Sequence, residues 1–457
     1  MTPWSDYADD ITEIEIGKNI SVIGANSLTG FGNLKEVKIS DDVQVIAENA
    51  LPENNFTIKG YLNSAAEKYA KDNGKDFKVS MLRILSIGNS HTYDYQTWKY
   101  DIKADLQKAG METDFLHSVT VFGGRQLFTD SGDTVNSHLT AATTPSYKDY
   151  ETYRNTLNGS LKWDLIILQD YHEASLKDNS NFTSGMAEAV KWIRAAQPQA
   201  KIAWVADWAE KASYSLAGTN NLEGVYANIV AAMNAVNNMT ENKPDFIIPM
   251  STAMQNVRSS YLGGVNNAKD SYFNTDNTDW AWNRDKNNPI SYIDQYSVLE
   301  RDTTHCSYEL GRYAMGIAVY AHILEAFKDV IDVPADFDYY GALKTAPVAT
   351  GLFEWNGEFT DSIWSIVKEA AKNSLTNKFA VTQSVYTKDP ADEIAADIKN
   401  ASYANVDFNT KSALATEINR AANGKVTVSE ADIAVDGNNA TITFLYGYTK
   451  KTVQISK

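Results

Sequence analysis

The sequence predicts an α/β fold built on a doubly wound parallel sheet, with a short repeat segment before it and a small α+β module after it. Three observations predict this. Residues 81–383 alternate short apolar runs with helix-length stretches, residues 1–80 repeat their apolar positions at a fixed offset, and residues 384–457 change to polar helices followed by strands. A chain of 457 residues also exceeds what one core usually organises, so several units are expected.

The repeat comes first. Ile11, Ile14, Ile16, Ile20, Val22, Ile23, Asn26 and Leu28 superimpose on Leu34, Val37, Ile39, Val43, Val45, Ile46, Asn49 and Leu51, always 23 residues on. A period in that range belongs to solenoids of the leucine-rich type, in which each unit stacks on the next to bury its apolar edge. The segment resembles the surface-protein leucine-rich repeats of gut and oral bacteria, and residues 57–79 resemble their closing segment.

From Met81 onward the period changes. Residues 82–88, 115–122, 163–169, 202–206 and 246–250 are short, apolar and bounded by polar or turn residues, as strands are; residues 98–109, 185–196 and 222–237 between them read as helices. A long polar loop follows the fifth strand, and helices are expected at 308–327 and 362–375. Strands joined by helical crossovers form a parallel sheet covered on both faces. In the last segment two amphipathic helices precede strands that turn at Asp436-Gly437-Asn438-Asn439, with no catalytic cluster, so an accessory or interaction role is expected there.

Composition excludes several classes. A formal charge of −17 argues against nucleic acid and anionic membrane as partners, since both are held by Lys and Arg. No apolar run reaches the length of a membrane span; the nearest, at 313–327, is interrupted by His322. The single cysteine, Cys306, allows neither an internal disulfide nor a cysteine-based zinc site. The first residues lack the basic and apolar regions of a signal peptide, which leaves an intracellular protein or an export signal outside this chain.

The chemistry centres on Gly88-Asn89-Ser90, at the carboxyl end of the first strand, where open α/β sheets place their ligands. Ser90 reads two ways by itself, as a nucleophile or as the cap of the next helix. A serine nucleophile needs an imidazole to accept its proton and a carboxylate to orient that imidazole. Among six histidines, His305 stands three residues after Asp302 and just before a helix that Ser307 can cap, so one loop supplies both groups. An oxyanion hole needs N–H donors, and the candidates are the amides of Ser90 and Gly124 and the side chain of Gln169.

These residues resemble the SGNH, or GDSL-like, hydrolase superfamily over roughly residues 81–377. Gly88-Asn89-Ser90 matches its nucleophile motif, with asparagine for the usual aspartate. Gly124 matches the glycine donor of its second block, and Asp302 with His305 matches its Asp-x-x-His block, followed by a helix carrying Gly311 and Tyr313. The third block departs: Gln169-Asp170-Tyr171-His172 stands where the family carries Gly-x-Asn-Asp, so Gln169 takes the place of the oxyanion asparagine, as in a poorly characterised bacterial branch. The resemblance implies a flavodoxin-like fold and a Ser-His-Asp esterase removing acyl groups, O-acetyl first among them, from carbohydrate or another small ester.

Candidate cleft residues are His91, Tyr171, His172, Trp280 and Trp282. His91 reads as a cleft or helix-start residue rather than the base. The two tryptophans read either as a sugar-stacking lip or as buried loop anchors. Asp276 and Asp279 lack the glycine and terminal glutamate of a calcium loop, so no metal and no cofactor is expected. The expected setting is the bacterial surface or exterior, with the repeats and the last segment available to a surface or protein partner. The rival reading is a binding or adhesion protein whose hydrolase domain is degenerate.

Overall fold

The 23-residue offset is also the register of a parallel ladder. In a computed structural model, β1 (Glu13–Ile16) pairs with β3 (Glu36–Ile39) as Glu13↔Glu36 and Ile14↔Val37, and β2 (Val22–Ile23) pairs with β4 (Val45–Ile46) as Val22↔Val45. Asn26 and Asn49, equivalent in the repeat, both take φ +58, a left-handed conformation that asparagine tolerates better than most residues. The ladder continues through β5 (Thr57–Gly60) to β6 (Asp76–Val79), with helix α1 (Ala65–Asp72) between them. Val37, Ile39, Leu34, Leu51 and Ile58 form a core of their own beneath it. The residues described are 5–97, 99–121, 123–124, 127–128, 161–170, 179–264, 299, 304–307, 310–335, 337, 360–447 and 449–457.

A five-stranded parallel sheet begins after β6 with only Ser80 between them. Its strands are β7 (Met81–Gly88), β8 (Asp114–Val121), β9 (Leu165–Gln169), β10 (Lys201–Val205) and β11 (Phe246–Ile248), in the spatial order β11-β10-β9-β7-β8. The order reverses between β7 and β9, which opens a crevice at their carboxyl ends. Two separate apolar cores cover the two faces, one gathering Leu82, Ile84, Ile167 and Val205, the other Leu85, Ile87, Ile166 and Trp204. Alternate residues of one strand thus enter opposite layers, as a sheet buried on both sides requires.

The helices differ from expectation at several boundaries. The helix expected at 98–109 is α3 (Lys99–Lys108), preceded by a further helix α2 (Ser90–Gln96), and α4 (Asn179–Ala196) starts six residues before the expected 185. Helix α5 (Leu222–Asn237) matches the expected 222–237, capped by Asn221, whose side chain accepts the Gly224 amide. The expected strand 246–250 stops at Ile248, because Pro249 lacks an amide to continue the ladder and caps α6 (Met250–Arg258) instead. Helices α7 (Leu310–Phe327) and α8 (Asp361–Thr376) then pack with α6 over one face. Among the described residues no helix is long and apolar enough to cross a membrane.

Side chains tie the repeat ladder to the parallel sheet. Lys59 is buried among Glu36 (2.7 Å), Asp332 (2.6 Å) and Glu112, which holds its ammonium in the charged form and raises its pKa. Arg83 of β7 bonds Asp164 through Nη2 (2.9 Å) while its other Nη reaches Asp41 (3.4 Å) in the repeats. The last residues form α9 (Pro390–Asn400), α10 (Lys411–Ala421) and an antiparallel sheet of β12 (Ile433–Asp436), β13 (Asn439–Tyr446) and β14 (Thr449–Ser456), around a core of Ile394, Ile398, Leu414, Ile442 and Val453. Asp436 pairs with Asn439, so the turn lies at the expected place, with Gly437 at φ +60.

Candidate active site

Ser90 is the first helical residue of α2, and it is not the cap. Asn89 is: its side-chain oxygen accepts the His91 amide at 3.0 Å from an extended backbone. The turn from strand to helix is tight enough to demand Gly88, since a Cβ there would lie 2.1 Å from Thr92 Oγ1 and 2.8 Å from the Gln169 carbonyl. Glycine therefore lets the chain turn against the end of β9 and leaves the Ser90 hydroxyl partly open while Asn89 is buried.

His305 Nε2 lies 3.1 Å from Ser90 Oγ. Two contacts fix the loop that carries it. Trp208 Nε1 donates to the Thr304 carbonyl at 3.1 Å, and Ser307 N donates to the Leu299 carbonyl at 2.8 Å. Ser307 Oγ accepts the Gly311 amide at 2.8 Å at the start of α7, as expected of a capping serine. Gly311 itself presses on the loop: a Cβ there would lie 2.2 Å from the Leu299 carbonyl and 3.0 Å from Cys306, which is fully buried. A buried ion pair, Asp94 of α2 with Arg312 of α7 at 2.6 Å, holds the two helices that carry the serine and follow the histidine.

Gly124 follows β8 with φ +68, which suits glycine, and Asp170 anchors the segment after it by accepting the amides of Leu127 (2.7 Å) and Phe128 (3.3 Å). Gln169 ends β9 fully buried. Its side-chain oxygen accepts the Thr92 hydroxyl (2.8 Å) and the Asn89 amide (3.4 Å), while its NH₂ donates to Asp207 Oδ2 (3.1 Å) and to the Asp170 carbonyl. Turning the amide over would set its oxygen against the Asp207 carboxylate, so the network fixes the orientation. The NH₂ expected at an oxyanion is directed at Asp207 here.

His91 is a helix-start residue, as one of its two expected readings had it, and it does not line the cleft. It is 1% exposed, with Nδ1 bonded to Asp207, Nε2 3.8 Å from Glu210, and its ring stacked on Trp208 at 4.2 Å between centroids. Burial alone pushes such an imidazole down; the Asp207 carboxylate, by charge and hydrogen bond, with Glu210 and Asp94 behind it, outweighs burial and raises its pKa to about 9. Sequence reasoning passed over Asp207, Trp208 and Glu210, although acidic residues just past a strand's carboxyl end were a legible signal. His117 is structural, buried between Ser86 Oγ and Tyr320 OH at 2.8 Å each and held neutral by that burial. Asp302, Tyr171, His172, Trp280 and Trp282 lie outside the described residues.

No family model and no curated protein matches the chain. Among solved structures it is similar to a DUF4886 family protein from Bacteroides uniformis, at 16% identity and TM-score 0.42, over 67% of this chain and 100% of that one. It is also similar to a family two carbohydrate esterase from Clostridium thermocellum, at 12% identity and TM-score 0.24, over 36% and 53% of the two chains. A lipase from a goat rumen metagenome gives 14% identity and TM-score 0.23, over 39% and 86%.

The chemical capacity of the site follows from its geometry. A hydroxyl within hydrogen-bond distance of an imidazole nitrogen, at the switch point of a parallel sheet, is the arrangement in which a serine can lose its proton as it attacks.

Proposed function

We propose that this chain is a serine ester hydrolase with Ser90 as nucleophile and His305 as general base. The observation that carries the reading is the 3.1 Å contact between Ser90 Oγ and His305 Nε2 at the β7/β9 crevice. His305 Nε2 takes the hydroxyl proton as Oγ bonds the acyl carbon, and the carbonyl electron pair moves onto oxygen. The amides of Ser90 and Gly124 are the donors assigned to that oxyanion, and Gln169 is assigned to holding the turn that aims Ser90. The imidazolium then gives its proton to the departing alcohol, and water, activated by the same nitrogen, releases the acid in the second half. Asp302, three residues before His305, is assigned to orienting the imidazole. No metal or cofactor enters this chemistry.

The substrate proposed is an O-acetylated carbohydrate or another small acyl ester, reached at the exterior of a bacterium. This rests on the resemblance of the motifs and on the 23-residue repeats, which we assign to the leucine-rich type and, with the last segment, to attachment or partner binding. Hydrolysis of 4-nitrophenyl acetate by the full chain, abolished in Ser90→Ala, tests the reading. A folded protein with no activity above the Ser90→Ala background would favour the adhesion role instead. Acetate release from a panel of acetylated oligosaccharides tests the substrate class.

A further inference from the structure

The buried groups around His91 link the two proposed reacting residues by a route separate from their direct contact. His91 follows Ser90 in the chain, and Thr304 precedes His305. Asp207 accepts from His91 Nδ1 and from Gln169 Nε2 (3.1 Å) on one oxygen, and from the Trp208 amide (2.9 Å) on the other. The Trp208 indole lies on the His91 ring, 29° from coplanar, and its Nε1 holds the Thr304 carbonyl at 3.1 Å. The His91 and His305 rings meet edge to face at 5.4 Å. One short segment beyond β10 therefore grips both the residue after the serine and the residue before the histidine.

We propose that Asp207, Trp208 and His91 form a brace that sets the Ser90–His305 contact, which makes them positioning residues of the hydrolytic site. This inference rests on the ester-hydrolase reading. Its physical basis is the cost of the arrangement. A histidine, an aspartate and a glutamate, each 3% exposed or less, are buried at the reacting edge, where apolar side chains of the same volume would fill space at no electrostatic cost. Charged, directional bonds fix ring orientation in a way that apolar packing does not. Asp207 also has no neutral mimic, because all three of its partners are donors and an amide must turn its own NH₂ toward at least one of them.

The test is Trp208→Phe in the full chain, which keeps a ring on His91 and removes the bond to Thr304 together with part of the buried indole, with Asp207→Asn as the harsher partner. The brace predicts that Trp208→Phe stays folded, with kcat for 4-nitrophenyl acetate down roughly 5- to 30-fold and KM within twofold of wild type, the split expected when geometry at the reacting atoms is lost. Asp207→Asn should lose roughly 10²-fold if folded. An independent readout is the histidine side-chain NMR spectrum: the His305 resonances, assigned through His305→Ala, should shift or broaden in Trp208→Phe. Inactive wild type would sink the hydrolase reading but leave this NMR arm, which tests the brace alone. Wild-type kcat in Trp208→Phe, or unmoved His305 resonances, would overturn the brace.

Discussion

The charged state of His91 makes stability depend on pH in a window that few other groups share. Folding raises its pKa from 6.5 to about 9, so between those values the native state holds a proton that the unfolded chain releases. The stabilisation is therefore complete below pH 6.5 and is lost as pH rises through about 9. At ~1.4 kcal/mol per pKa unit this amounts to about 3 kcal/mol, most of it lost between pH 7 and 9.5. Among the described residues, the other perturbed histidines act elsewhere. His322 is lowered to about 4 and His117 is also lowered, so both cost stability only below 6.5, where the unfolded chain protonates first. Lys59, raised above its ordinary 10.5, contributes a stabilisation that is constant across this window and is lost only as pH rises above 10.5. The assay is urea unfolding by tryptophan fluorescence at half-unit steps from pH 6.5 to 9.5, on wild type and His91→Gln. Stability of wild type should fall by about 2–3 kcal/mol more than that of the variant across this range. Parallel curves for the two proteins would mean that His91 is not held as a cation by Asp207, and the reasoning about that cluster would be wrong.

Gly88→Ala should cost about 1–3 kcal/mol, because its Cβ meets the backbone of β9, and activity on 4-nitrophenyl acetate should drop as Ser90 is displaced; a neutral substitution in thermal melts and assay would contradict the close approach. Gln169→Ala should lower stability by about 2 kcal/mol or more, since buried donors at Asn89 and Thr92 lose their acceptor. If that variant instead melts like wild type and loses roughly 10²- to 10³-fold in kcat, Gln169 is an oxyanion donor after all. Removing residues 1–80 leaves the Ser90–His305 contact untouched but strips Asp41 and the Leu62 carbonyl from Arg83 and Lys59 from Glu112 and Asp332, so the melting temperature should fall by several degrees while kcat is kept. Complete loss of folding, read by circular dichroism, would show the repeats to be integral to the sheet's core.

The parallel sheet was legible because its strands are continuous apolar runs bounded by turn residues, the pattern of strands buried on both faces. The repeat register was legible because 23-residue spacing places like residues side by side. Gly88-Asn89-Ser90 and His305 could be paired from sequence through the chemistry a serine needs. What escaped was local competition. Helix α2 is polar on the page, "SHTYDYQ", and lacks an apolar stripe, because Asp94 and His91 are buried through partners brought from Arg312 and Asp207. Those partners lie 218 and 116 residues away, and a buried charge pair leaves no periodic signature. Gln169 was read by its position in a motif, yet its orientation is decided by Asp207, which the motif does not contain.

The activation of Ser90 by His305 is tested most directly by reacting the folded protein with a fluorophosphonate probe and mapping the adduct by mass spectrometry. Only a hydroxyl with a base in place attacks such a phosphorus centre readily. An adduct is expected on Ser90 in wild type and none in His305→Ala. Folded wild type that leaves Ser90 unlabelled, or His305→Ala that labels as fast as wild type, would contradict this activation.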